Sequence, residues 1–174
     1  MKDWPDLLFK TLKEAGVRQV GYVPDAGHKR LIELCLADRS MRAVVLSTEE
    51  EGIGLLAGAW LGGERGALLM QSSGVGNCIN ALGMLSECRI PLLMLVTMRG
   101  QFGEFNPWQV PMGQATPAVL EAMGVVVQEA NAAEEIAPAV DAAARLAFGS
   151  YQAVAVLISQ AVIGIKSFQD QASR

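Results

Sequence analysis

Three acidic residues, Glu49-Glu50-Glu51, stand directly ahead of an almost wholly apolar stretch from Ile53 to Trp60. Carboxylates at a helix start complement the helix dipole, and that explains many such runs. Successive helical residues point about 100° apart, so the three cannot share one environment. At least one turns toward the covered side, where burial tunes a carboxyl for proton transfer. Spacing does not select which of the three it is. Gly74-Val75-Gly76 follows an apolar run and opens another helical segment. It is too short for a dinucleotide fingerprint, since Ile79 stands where the third glycine belongs, and it lacks the lysine of a P-loop. Its glycines either let a ligand approach or serve a tight strand-to-helix turn. His28 is the single imidazole, either a functional or a capping side chain. Arg99 suits an anionic substrate group or plain surface charge. Glu104 and Gln109 fall in an irregular stretch where solvated polarity is the simple reading.

The elements that must position these groups alternate between strand-length apolar runs and longer segments of helical period. Helices are expected over Asp3–Ala15, around Leu31–Cys35, from Ser47 or Thr48 to about Leu61, to roughly Glu87, over Pro117–Met123 and over Ala132–Phe148. Strands are expected at Gln19–Val23, Ala43–Leu46, Ala67–Gln71, Pro91–Thr97, Val125–Gln128 and Ala153–Ile158. Met98–Gly113, with its glycines and prolines, supports neither a long helix nor a strand. Such alternation implies a parallel sheet between helices, whose ligands sit beyond the carboxyl ends of the strands. Four loops leave those ends: Pro24–His28, Ser47–Glu51, Ser72–Asn77 and Met98–Gly113. All the polar candidates fall in them, on one shared rim.

At 174 residues the chain suits one domain, read as residues 1–166 with a polar tail at 167–174. Hydrophobic residues make up 51% and charged residues 18%, with mean hydropathy +0.29, which excludes disordered and fibrous classes. A net charge of −4 and a pI near 5.0 exclude a general nucleic-acid footprint. So apolar a surface implies coverage by another subunit. The longest apolar run, Ile90–Met98, is too short to cross a bilayer, and the N-terminus lacks signal-peptide order. Cys35, Cys78 and Cys88 have no metal-type spacing, and no zinc site or thiol chemistry is assigned to them. A soluble cytoplasmic protein is expected.

Thr48-Glu49-Glu50-Glu51-Gly52, Ala57-Gly58-Ala59-Trp60 and Gln71-Ser72-Ser73-Gly74-Val75-Gly76-Asn77 together resemble the pyrimidine-binding domain of thiamine-diphosphate enzymes. Gln109-Val110-Pro111-Met112-Gly113 and the short length resemble the α subunits of sulfopyruvate decarboxylases and the related phosphonopyruvate decarboxylases. The resemblance runs from about Lys10 to Ile163. It implies a three-layer α/β sandwich on a mostly parallel six-stranded sheet. It further implies that a glutamate shares a proton with N1′ of the cofactor's aminopyrimidine. Aligning the small-residue helix places that role on Glu50, with Glu49 and Glu51 as neighbours. Gly74 and Val75 would contact the pyrimidine ring, Ser73 and Asn77 would shape the turn, and Pro24 and Asp25 would approach the reacting centre. His28, Arg99 and Gln109 are the candidates for steering a sulfonate or phosphonate substrate.

Full-length members carry a Gly-Asp-Gly motif that binds Mg2+ and the diphosphate, and this chain has no such tripeptide. The resemblance therefore implies a separate β subunit holding Mg2+, a cofactor lying between chains, and self-association of the assembly. The implied reaction is non-oxidative decarboxylation of sulfopyruvate or phosphonopyruvate to the aldehyde. A split acetolactate-synthase-like carboligase and a non-catalytic binding or regulatory subunit remain the alternatives.

Overall fold

The computed structural model describes residues 4–164. Helix α1 (Trp4–Glu14) leads into β1 (Val17–Tyr22), α2 (Lys29–Ala37), β2 (Arg42–Val45), α3 (Glu49–Leu61), β3 (Arg65–Gln71) and α4 (Ser72–Cys88). There follow β4 (Leu92–Thr97), a 3₁₀ turn (Pro107–Gln109), α5 (Val110–Ala122), β5 (Val126–Ala130), α6 (Ala133–Ser150), β6 (Ala153–Ile158) and the short α7 (Gln160–Ile163). The six strands form one all-parallel sheet in the order β2-β1-β3-β4-β6-β5. The expected α/β class and its sandwich of helices around a parallel sheet are therefore present.

Right-handed crossovers decide which face each helix covers. Connections running toward β2 and β6 put α2 and α6 on one face, joined there by α1; those running the other way put α3, α4 and α5 on the opposite face. Two cores result. Leu8, Leu12, Leu31, Cys35, Val140 and Ala147 pack on the first face, and Ile53, Leu56, Leu82, Leu85 and Leu120 on the second. Strand β4 serves both by alternation, with Leu93 and Leu95 in the first core and Leu92, Met94 and Val96 in the second. Every residue of β4 and β6 is buried, as central parallel strands require.

Two expectations need correction. The irregular stretch after β4 is shorter than expected, because α5 starts at Val110 and not at Pro117. Pro111 sits at the helix start, where a missing N–H costs nothing. Gly113 leaves room for the Arg99 carbonyl, so α5 packs closely enough to tolerate Pro117 within it. Second, Gly74-Val75-Gly76 is not a turn ahead of a helix but part of the first turns of α4. The proposed tail at 167–174 lies outside the described residues.

Candidate functional site

Strand order reverses at β1, which has β2 on one side and β3 on the other. A crevice opens beyond the carboxyl ends at such a switch point. The loop after β1 supplies Pro24 and Asp25, and α4 opens directly at the end of β3.

Glu49 is the first residue of α3 and is 7% exposed, whereas Glu50 and Glu51 lie in solvent. The resemblance gave the proton-sharing role to Glu50; the side chain buried against the start of α4 is that of Glu49. The 100° step of the helix sends the neighbouring side chains outward. Glu51 instead accepts a hydrogen bond from the Ser47 backbone N–H at 2.8 Å and closes the helix start. The Glu49 carboxyl lies against Gly74, where a Cβ would overlap it. Asn77 Nδ2 donates to Glu49 Oε2 at 2.9 Å, and among the described residues Oε1 accepts no hydrogen bond. One oxygen is anchored and the other left available, beside a wall with no side chain. That donor set fits a protonated ring nitrogen, the demand an aminopyrimidine makes.

Asp25 forms a second polar centre on the same rim. Thr97 Oγ1 donates to its Oδ2 at 2.7 Å, Gln71 Nε2 to its Oδ1 at 2.9 Å, and the Gly27 N–H to Oδ2 at 3.0 Å. Ser73 Oγ donates to Gln71 Oε1 at 3.0 Å and so fixes the amide from behind. Loops from β1, β3 and β4 are tied together through this carboxylate. An open groove of about 380 Å3 lies alongside, lined by Tyr22, Pro24, Asp25, Ala26, Lys29 and Ile32 among others.

Three other candidates sit differently from expectation. His28 is fully buried, with Nε2–H donating to the Leu95 carbonyl at 3.0 Å and Nδ1 without a partner among the described residues. Burial pushes its pKa below the ordinary 6.5, against the pull of Asp25, so it stays neutral. A neutral ring inside the core cannot steer an anion. Arg99 is 8% exposed and already engaged: its Nε donates to Glu104 Oε2 at 2.6 Å, and its Nη2 donates to the other oxygen. The guanidinium holds Glu104 down to about 2, helped by the Asn106 and Gly100 N–H groups and by Gln160. This pair is a clasp for the loop after β4. Val75 is fully buried in the second core, so its side chain turns away from the rim. Gln109 is half-buried in the 3₁₀ turn, with its side-chain oxygen unpartnered among the described residues.

Lys29, missed in the sequence, lines the rim groove and makes no ion pair among the described residues. Its place directly after the rim loop was the available signal. Among the described residues no three His, Cys, Asp or Glu side chains converge as metal ligands would, and no helix is long and apolar enough to cross a membrane.

A family model described as the thiamine pyrophosphate enzyme, N-terminal TPP binding domain, matches residues 3–102. The chain is 35% identical over 154 residues to sulfopyruvate decarboxylase subunit alpha of Methanococcus maripaludis, covering 88% of this chain and 92% of that one. It is 37% identical over 116 residues to phosphonopyruvate decarboxylase of Streptomyces viridochromogenes, covering 66% of this chain but 29% of that longer protein. The fold matches 2-oxoglutarate:ferredoxin oxidoreductase from Magnetococcus marinus with a TM-score of 0.71 at 14% identity, over 93% of this chain and 29% of that one. With a buried glutamate against a helix-opening glycine, and with these matches, the chain belongs to the thiamine pyrophosphate enzyme family as an N-terminal TPP binding domain.

Proposed function

We propose that this chain is the pyrimidine-binding subunit of a two-chain thiamine-diphosphate decarboxylase converting sulfopyruvate or phosphonopyruvate to the aldehyde and CO2. The observation that carries the reading is Glu49, buried at the head of α3 with Asn77 on one oxygen and Gly74 beside it. When bound, thiamine diphosphate supplies the electron sink for loss of CO2. Glu49 shares a proton with the aminopyrimidine nitrogen, and Asn77 holds that carboxyl in place. Gly74 lets the ring approach, while Ser73 and Gln71 brace Asp25 at the reacting end behind Pro24. Lys29, not His28 or Arg99, meets the sulfonate or phosphonate.

The relatives support a division of labour between chains. Nearly the full length of an α subunit is matched, yet only 29% of a longer decarboxylase. The remainder, including the part that holds Mg2+ and the diphosphate, belongs on a β subunit. A cytoplasmic setting suits the free thiols of Cys35, Cys78 and Cys88.

The test is product analysis of the assembly purified from its own host, with thiamine diphosphate and Mg2+. Sulfoacetaldehyde or phosphonoacetaldehyde released with equimolar CO2 supports the proposal. Carbon–carbon bond formation from pyruvate would transfer the chain to the carboligases, and turnover independent of thiamine diphosphate would make it a binding subunit.

A further inference from the structure

Helices α4, α5 and α6 end together at the amino ends of the strands, around Val126 and Ala153, the first residues of β5 and β6. A cavity of about 420 Å3 opens among them, at the far end of the strands from Glu49 and Asp25. Leu82, Leu85, Met123 and Val126 give it an apolar lining. Arg89 and Tyr151 also border it, and the Arg89 guanidinium makes no hydrogen bond or ion pair among the described residues.

The backbone at both residues is unusual. Helix α4 ends with the Arg89 and Ile90 N–H groups on the Leu85 carbonyl, and α6 with those of Tyr151 and Gln152 on the Ala147 carbonyl. Such an ending puts one residue in the left-handed region, where glycine avoids the clash of a side chain. Glycine fills that position after α1 and α5, at Gly16 (φ 75°) and Gly124 (φ 77°). Arg89 (φ 52°) and Tyr151 (φ 58°) are the two non-glycine residues with positive φ among the described residues, and both border one cavity. Strain of this kind gathers at ligand-binding sites. The Tyr151 ring is held there edge-on against Trp60, with centroids 5.8 Å apart.

We propose that this cavity is a second binding site, for a free α-amino acid with an apolar side chain. Arg89 takes the carboxylate through its planar fork of donors. Three helices turn their carboxyl ends to the cavity, and the last carbonyls of a helix carry partial negative charge that favours a cation. An ammonium group meets that demand. A plain anion would gain from Arg89 and lose to the helix ends. The apolar lining receives the side chain, with the Tyr151 ring as one wall. No residue of the rim takes part, so the site stands apart from the decarboxylase reading.

The test is calorimetric titration of the assembly from its own host with three probes. L-phenylalanine carries both charged groups, phenylpropanoate lacks the ammonium, and phenylethylamine lacks the carboxylate. The expected result is one L-phenylalanine per copy of this chain, with each truncated compound bound about tenfold more weakly or worse. Arg89→Gly removes the guanidinium and relaxes the backbone, so L-phenylalanine binding should weaken about tenfold or more while the thermal midpoint holds or rises. Arg89→Asn, which also tolerates the left-handed region, should lose binding in the same way. A purely structural Arg89 would do the opposite, lowering the midpoint and leaving binding intact. Absence of L-phenylalanine binding, equal binding of either truncated compound, or undiminished binding in both variants would overturn the proposal. Product analysis of the same assembly tests the decarboxylase reading, so either idea can fail alone.

Discussion

Replacing the Glu49 carboxylate by an amide keeps its size and its bond from Asn77 but removes the group that can share a proton. In the assembled enzyme Glu49→Gln should lower kcat by about 10²-fold or more, the usual scale for a positioned acid–base group, with Glu50→Gln close to wild type. Steady-state kinetics on both variants distinguishes them, and equal losses would contradict the assignment. Gly74→Ala presses a methyl group onto the same carboxyl and should destabilise the chain by about 1–3 kcal/mol. Thermal melts should show much of that loss recovered in Glu49→Ala/Gly74→Ala, because the overlap disappears with the carboxyl. Lys29→Ala should raise KM for the anionic substrate and leave kcat little changed. At this scale the sequence located the acidic run and the glycine pair and put the proton-sharing role on Glu50, whereas the structure buries Glu49 against Gly74. Matching small residues along α3 does not determine which of three adjacent side chains turns inward, and burial against Gly74 does. For His28 and Arg99 too, loop position says nothing about whether a charge is already paired or a ring already covered.

The clasp after β4 and the buried histidine make the fold acid-sensitive in two separate windows. Glu104 sits at about 2 in the folded chain against an ordinary 4.5, chiefly through Arg99. Its depressed value means the stabilisation is complete above about pH 4.5 and is lost as pH falls toward 2. His28 is held neutral by burial, so below about pH 6.5 the unfolded chain takes up the proton first and stability declines there. Urea midpoints measured against pH should therefore fall in two steps, the upper absent in His28→Gln and the lower smaller in Glu104→Gln, where Asp38, also held at about 2 by Lys13, still titrates. Gly58 faces open space on α3, and Gly58→Ala should raise the stability of the isolated chain by about 0.5–1 kcal/mol. Periodicity placed every strand and the helices α1, α3 and α6 within a few residues of their observed bounds, located α2 and the end of α4, and read the first turns of α4 as a loop. It failed at α5, where Pro111, Gly113 and Pro117 look like breakers. Pro111 is harmless at the helix start, and Gly113 packs against the Arg99 backbone, a long-range contact that local pattern does not contain.

For the whole molecule, the central feature is a rim prepared on one side only. Glu49 and Asp25 are fixed in place, yet the groove beside them is open. A cavity of about 420 Å3 around Leu82, Arg89 and Tyr151 lies at the opposite ends of the strands. On the proposed two-chain reading the pocket belongs at the rim, and its second wall arrives with another chain. The low charge of the sequence signalled coverage, but only the fold shows that the open side is the rim. Thiamine-diphosphate binding, measured by calorimetry in the presence of Mg2+ on the isolated chain and on the assembly from its host, tests the half-site directly. The account predicts one cofactor per copy of this chain in the assembly and no measurable binding to the chain alone. Equal binding by the isolated chain, or none by the assembly, would contradict it.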